Sequence, residues 1–293
     1  MTQEIRRIDF RDQISSNKRK SFFLMVIIFA VFVLFGYVIS FAFEPGFFFI
    51  IMIISIVISL SYVWISFYNS HKIAIASVGA KKASRERYKQ YYALVEGLTI
   101  ASGMPMPNLY IMHSPQINAF ASGRNPENAV ICVTDGALEK LDKRELEGVL
   151  AHELGHVANY DIRYITLVTV MVGMIAIASQ IFLRSLWFRG GNDNKNFVFI
   201  LIGIAMAILA PIVVQFVQMA ISRKREFNAD ASAVKFTRHP QGLICALKKI
   251  QRDNQPEKKV NKAVAPLFFS NPFRNLGSTH PPLEKRIEVL KRM

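Results

Sequence analysis

Asp142-Lys143-Arg144-Glu145-Leu146-Glu147-Gly148-Val149-Leu150-Ala151-His152-Glu153-Leu154-Gly155-His156 is the stretch on which the reading of this chain turns. Asp142 followed three residues later by Glu145 is a capping-box pattern, which satisfies free amide groups at the start of a helix. Leu146, Val149, Leu150, Leu154 and Val157 recur at helical spacing and supply a buried face. On such a helix His152 and His156 stand four apart on one side, one turn along. Both imidazoles can then reach a single tetrahedral zinc ion, leaving places for a third ligand and a water. Glu153, offset around the helix, is placed to take a proton from that water and pass it to a leaving amine.

A third ligand is sought outward from there. About 70 residues on, Ser222-Arg223-Lys224-Arg225-Glu226-Phe227-Asn228-Ala229-Asp230 continues an apolar stretch and reads as helix. Glu226 and Asp230 are four apart and share a face. One carboxylate as ligand and a second that orients a ligating imidazole is the arrangement expected around catalytic zinc. Two histidines and a glutamate with an open position form a catalytic set, where a structural site is closed.

The rest of the chain is too apolar for an ordinary soluble domain. Of 293 residues, 52% are hydrophobic, 23 are Phe and only 19% are charged, against about 25% charged in typical soluble proteins. Four stretches account for the excess. Phe22 to Phe43 and Phe47 to Tyr68 flank Glu44-Pro45-Gly46 and read as a transmembrane hairpin, each near the roughly 20 residues that a spanning helix needs. Ile165 to Leu183 and Phe197 to Met219, the latter containing Pro211, read as a second hairpin around the polar loop Arg184 to Asn196. The first stretch is longer than a signal-peptide core and lacks a small-residue cleavage site, so it reads as a retained anchor.

Positive residues set the orientation. Arg6, Arg7, Arg11, Lys18, Arg19 and Lys20 precede the first span, and Lys72, Lys81, Lys82, Arg85, Arg87 and Lys89 follow the second. Arg223, Lys224 and Arg225 follow the fourth; only Arg184, Arg189 and Lys195 run against the trend. Both large polar regions therefore read as cytoplasmic. The net charge of +15 is explained by this clustering beside lipid, and no nucleic-acid-binding module accompanies it. Cys132 and Cys245 are too far apart and too few for a disulfide framework or a thiolate metal site. In the first polar region Ala83 to Gly103 reads as an amphipathic helix. Asn108 to Met112, Ala119 to Ser122 and Val130 to Thr134, separated by Pro, Asn and Gly, read as a small sheet.

With these residues assembled, the chain resembles the HtpX-type membrane zinc metalloproteases. The resemblance rests on His152 to His156 with Asn159 and Asp161, on Ser222 to Asp230, on Asn118-Ala119-Phe120-Ala121, and on Ser278-Thr279-His280-Pro281-Pro282 with Arg286. It implies an α+β membrane protein: four transmembrane helices plus a cytoplasmic, mostly helical zincin-like (gluzincin) domain with a small β-sheet. It further implies that His152, His156 and Glu226 bind one Zn2+ per chain, that Glu153 is the general base and that Asp230 supports a ligand. Asn118, Ala119, Phe120 and Ala121 would form an edge strand that pairs with extended substrate. His280 and Arg286 would line the site and stabilise the tetrahedral oxyanion. His71, His113 and His239 have no ligand spacing and are given no role.

The organisation so expected is a cytoplasmic segment 1–21, a hairpin 22–68, a first catalytic half 69–163, a second hairpin 164–220 and a second catalytic half 221–293. His156 is eight residues before Tyr164, so the metal would sit within roughly 12 Å of the third span, at the membrane surface. The expected activity is a metalloendopeptidase of a bacterial cytoplasmic (inner) membrane, cutting exposed or misfolded segments of membrane proteins in quality control. Its partners would be unfolded or membrane-protein polypeptides and the bilayer, with no nucleic acid. Three rivals are a prenyl-protein-type C-terminal processing protease, a non-catalytic zinc-binding membrane scaffold, and a soluble cytosolic protease. Four spans and an intact Glu153 speak against the first two.

Overall fold

The apolar runs on either side of Pro45 fold into two long helices, α1 (Phe10–Ser40) and α2 (Phe48–Ser77), with a 3-10 turn at Pro45–Phe47 leading into α2. The computed structural model describes residues 10–40, 45–170, 223–253, 267–269 and 281–293. Helices α1 and α2 pack closely where Gly36 meets Ser55; a Cβ on Gly36 would fall 1.9 Å from the Ser55 Oγ. Small residues at such a contact let the two backbones approach, as helices in lipid require. Outward they present Phe22, Phe23, Phe49, Ile53 and Trp64, all exposed. Among the described residues one helix, Pro45–Ser77, is long and apolar enough to cross a membrane, and only 6% of its most apolar window is buried.

Both helices outrun the expected spans on the catalytic side. Helix α1 already includes residues 10–21, which were expected as a separate segment, and α2 continues nine residues past Tyr68 to Ser77. A run of apolar residues marks the bilayer, but nothing in a helix requires it to stop there. The extensions are used for packing. Leu24 and Ile28 of α1 bury against Tyr164, Leu167 and Val168, and Ala74 and Ile75 of α2 bury against the sheet. Residues 161–170, the start of the third expected span, form helix α6. The remainder of that span, the Arg184–Asn196 loop and the fourth span lie outside the described residues.

The sheet has the order β1 (Lys81–Lys82), β2 (Asn108–Met112), β4 (Ala129–Thr134), β3 (Ala119–Gly123). Strand β4 runs parallel to β2 and antiparallel to β3, and β1 pairs antiparallel with β2. Side chains alternate across it. Ile131 and Val133 face Leu94, Val95 and Leu98 of helix α3 (Lys89–Ser102) and the catalytic helix, while Val130 and Cys132 face α2. Every residue of β3 and β4 is buried, as strands covered on both sides must be. The expected helix Ala83–Gly103 begins later than the sequence suggested, at Lys89. The Ala83 amide donates to the Leu109 carbonyl at 2.9 Å, so the sheet holds the chain extended past Lys82. At its other end Gly103 takes φ 70, a left-handed cap that glycine adopts without strain.

After helix α4 (Asp135–Lys140), helix α5 (Lys143–Ala158) starts on the capping box that its sequence announced. The Asp142 carboxylate accepts from the Arg144 and Glu145 amides, and the Glu145 side chain accepts from the Asp142 amide at 2.8 Å. Helix α5 is the axis of the domain, buried almost throughout from Glu145 to Val157. Two glycines let its neighbours come close. At Gly155 it crosses α7 (Arg223–Thr237), where a Cβ would lie 2.9 Å from the Ser232 Cβ. At Gly148 it crosses α8 (Gln241–Asp253), where a Cβ would lie 2.5 Å from the Leu243 backbone nitrogen. Helix α9 (Leu283–Leu290) closes the described chain.

Because the obstacle at Gly148 is backbone, Gly148→Ala forces α5 and α8 apart and should destabilise the domain by about 1–3 kcal/mol, as overpacking does. Thermal unfolding of the detergent-solubilised variant should show a clearly lower midpoint. An unchanged midpoint would mean that the two helices do not touch there.

Candidate metal centre

Helical spacing on α5 and α7 brings three side chains to one point. His152, His156 and Glu226 each offer a ligand atom, all within 4.8 Å of one another, and all three residues are buried. The Glu226 carboxylate lies 3.7 Å from His152 Nε2 and 3.5 Å from His156 Nε2. The two Nε2 atoms are only 3.1 Å apart.

Each ring is held from behind by a carboxylate. His152 Nδ1 meets Asp230 Oδ1 at 2.8 Å, and His156 Nδ1 meets Asp161 Oδ2 at 3.1 Å. With each Nδ1–H donated to an anion, both Nε2 lone pairs face each other and the Glu226 carboxylate. Three electron-rich groups converge at van der Waals range, an arrangement relieved by a cation between them. This is the carboxylate–histidine pairing that orients metal-ligating imidazoles. The residues therefore fit a metal with nitrogen and oxygen ligands, zinc foremost by ligand type.

Charge points the same way. Burial and the Arg286 guanidinium lower the His152 pKa to about 4, against the upward pull of Asp230. Burial also disfavours charge on His156, yet Asp161, Glu226 and Glu153 overcome it and raise that pKa to about 9. The pocket thus favours positive charge at the His156 side. Glu153 is almost wholly buried, and burial raises its pKa to about 7; nearby His156 and a backbone hydrogen bond from Ala121 hold it lower than burial alone would. It lines a narrow pocket shared with His156, Glu226, Ile162 and Phe269.

The structure seats Arg286 differently from the expected place on the cavity wall. It is fully buried and donates two hydrogen bonds to Asp230, from Nε at 2.9 Å and from Nη2 at 2.6 Å. Its Nη1 lies 3.5 Å from Glu226 Oε2. A bidentate arginine is the counter-ion that a buried carboxylate needs, so Arg286 pairs with Asp230 from behind the His152 ring. His280 lies outside the described residues.

Asn118, Ala119, Phe120 and Ala121 lead into the sheet's edge, since among the described residues β3 pairs only with β4. The Thr134 amide donates to the Asn118 carbonyl at 3.1 Å, so by alternation Ala119 and Ala121 turn their backbone groups away from β4. That outer edge is already engaged. The Phe269 amide donates to the Ala119 carbonyl at 2.8 Å, and Ala121 bonds Glu153. Phe120 points to the far face, against Phe268 with ring centroids 5.3 Å apart. Asp161 and Phe269 carried no assigned role in the sequence reading. Asp161 had a usable signal, a carboxylate just past the end of the helix that bears His156; Phe269 had none.

The chain is similar to known proteins. Residues 85–293 match the model of peptidase family M48. A protein named protease HtpX homolog from Dictyoglomus turgidum is 41% identical over 290 residues, covering 97% of this chain and 95% of its own length. A second of the same name, from Caldanaerobacter subterraneus subsp. tengcongensis, is 40% identical over 287 residues, covering 94% and 95%. The crystal structure of S. mikatae Ste24p superposes with a TM-score of 0.49 at 20% identity, over 95% of this chain and 66% of that one, too distant to bear on chemistry.

Asp230→Asn keeps the shape beside His152 but leaves Arg286 without its buried anion. Metal affinity, measured by competition with a chromogenic chelator, should fall about 10–100-fold. Unaltered affinity would mean that Asp230 does not hold the His152 ring.

Proposed function

The chain belongs to peptidase family M48 and is a metalloprotease, and from that premise we propose a zinc-dependent endopeptidase anchored in a bacterial cytoplasmic membrane, cutting exposed or misfolded segments of membrane proteins on the cytoplasmic side. One observation carries this reading: His156 and Glu226 of the three-residue cluster share a pocket with the buried Glu153, in a domain whose cores take in residues of the long apolar helices α1 and α2. Four crossings, with 164–220 as the second hairpin and the catalytic halves at 69–163 and 221–293, complete the proposed layout. The basic residues around α1 and α2 support the cytoplasmic placement.

His152, His156 and Glu226 would hold the zinc. Bound there, it would supply a Lewis acid for the scissile carbonyl and a water of lowered pKa. Glu153 does the proton work: its carboxylate takes the proton of the attacking water and returns it to the amide nitrogen as the C–N bond breaks. Asp230 and Asp161 keep Nδ1 of each histidine protonated, so that Nε2 stays a ligand. Arg286 acts through Asp230. Substrate would lie extended along β3, and main-chain pairing of that kind reads backbone more than sequence. Because Phe269 occupies the Ala119 carbonyl, that hydrogen bond has to open for a substrate strand to run the full edge.

Glu153→Gln should abolish cleavage of an unfolded test protein by the detergent-purified, zinc-supplemented enzyme while stoichiometric zinc is retained. Equal cleavage by both proteins would remove Glu153 from the base role. Since Glu153 accepts a proton only when ionised, wild-type kcat/KM should fall about tenfold per pH unit on the acid side. The midpoint should lie at or below the base's own pKa of about 7, because bound zinc favours the ionised form. A midpoint above 8 would contradict the assignment.

A further inference from the structure

Helix α1 does more than anchor. Asn17, Ser21, Leu24 and Ile28 fall at helical spacing on one face, and all are buried. Leu24 and Ile28 are apolar and pack on Tyr164, Leu167 and Val168. Asn17, one end of the same stripe, is an amide where a leucine would serve for packing alone.

Its side chain spends both amide hydrogens on the turn between α5 and α6. Asn17 Nδ2 donates to the Asn159 carbonyl at 3.1 Å and to Asp161 Oδ1 at 2.7 Å. The other Asp161 oxygen, Oδ2, is the one that meets His156 Nδ1 at 3.1 Å. Asp161 is wholly buried and Asn17 is 2% exposed, so these bonds form out of reach of water, where losing a partner is most costly. The turn they tie down contains Tyr160 at φ 56, a left-handed conformation that a non-glycine residue holds only when its surroundings impose it. Lys18 lies over the Tyr160 ring at 4.5 Å from its centroid and braces the same turn.

We infer that Asn17 is a positioning residue of the catalytic centre: it sets the plane of the Asp161 carboxylate, and through it the orientation of the His156 imidazole. The inference rests on the zinc-protease reading above. It adds that a helix continuous with the membrane hairpin supplies an outer support of one candidate zinc ligand, 139 residues distant in sequence. A carboxylate hydrogen-bonded on one oxygen only can rotate; held on both, it presents Oδ2 to Nδ1 in one direction. Outer partners of this kind tune affinity and activity at metal sites.

The test compares full-length, detergent-purified wild type with Asn17→Leu, Asn17→Gln and Leu24→Ala. Leu24→Ala loosens the same helix without touching Asp161. Three quantities are read: zinc release to a chelator, the visible absorption bands of the cobalt-substituted protein, and kcat and KM separately. Asn17→Leu should release zinc about three- to tenfold faster, with shifted cobalt bands, a comparably reduced kcat and a KM within about twofold of wild type. Asn17→Gln, which keeps the amide, should recover most of each loss. Leu24→Ala should lower the unfolding temperature and leave the cobalt bands in place. If Asn17→Leu lowers the unfolding temperature but leaves zinc release and cobalt bands as in wild type, Asn17 is a docking contact only and the inference falls. It falls equally if Leu24→Ala moves the bands as far as Asn17→Leu does. A wild-type protein that takes up neither zinc nor cobalt overturns the zinc-protease reading itself, and this inference with it.

Discussion

Charge balance in a water-poor interior is the constraint on which the rest of this structure depends. Glu153, Asp161, Glu226 and Asp230 are all buried around α5 and α7, and two buried guanidiniums, Arg225 and Arg286, stand among them. With both histidines neutral and all four carboxylates ionised, the two arginines leave two negative charges, which a divalent cation would balance. Burying even one unpaired ion costs several kcal/mol, so the cluster suits a site that can hold a cation. The raised pKa of His156 is the same imbalance seen from one side chain: the pocket draws in a proton where a metal belongs.

Such a cluster has to be assembled from helices that approach unusually closely. A histidine and a glutamate on neighbouring helices can share one ion only if the backbones nearly touch, and Gly155 lies between His152 and His156 on the crossing with α7. Gly148 repeats the device one crossing away, and Gly242 answers it from α8. The glycine inside the histidine motif is thus part of the ligand geometry, although it carries no chemistry. On the opposite side the sheet completes the enclosure. Strand β3 brings Ala121 to Glu153, which offsets part of the burial that favours the protonated carboxyl.

Local signals in the sequence were enough for what lies on one helix. The capping box, the His152–His156 spacing and the Glu226–Asp230 pair are all periodic relations, and each is found at the place its period implies. The three longer strands were legible for the same reason, as short apolar β-branched runs between turn residues. What could not be read were relations set by tertiary packing. Lys81-Lys82 has no strand pattern, yet pairing with β2 makes it a strand and delays the next helix to Lys89. Arg286 looked like a wall residue because its charge was visible and its partner was not; only the fold shows that Asp230 claims it. Asn17 was hidden in a basic run whose obvious meaning was membrane orientation.

The same packing alters how the hairpin should be understood. In the simplest picture a membrane anchor is a tether, and the catalytic body would be unchanged if it were cut away. Here α2 contributes Ala74 and Ile75 to the core beneath β3 and β4, and α1 contributes Leu24 and Ile28 to the core beneath α6. Removing either helix exposes buried apolar surface, and removing α1 also takes away the Asn17 bonds to the turn that carries Asp161. Anchor and catalytic body are therefore one folding unit. The candidate metal cluster is thus held in register with α1 and α2 by the same contacts that build the domain core.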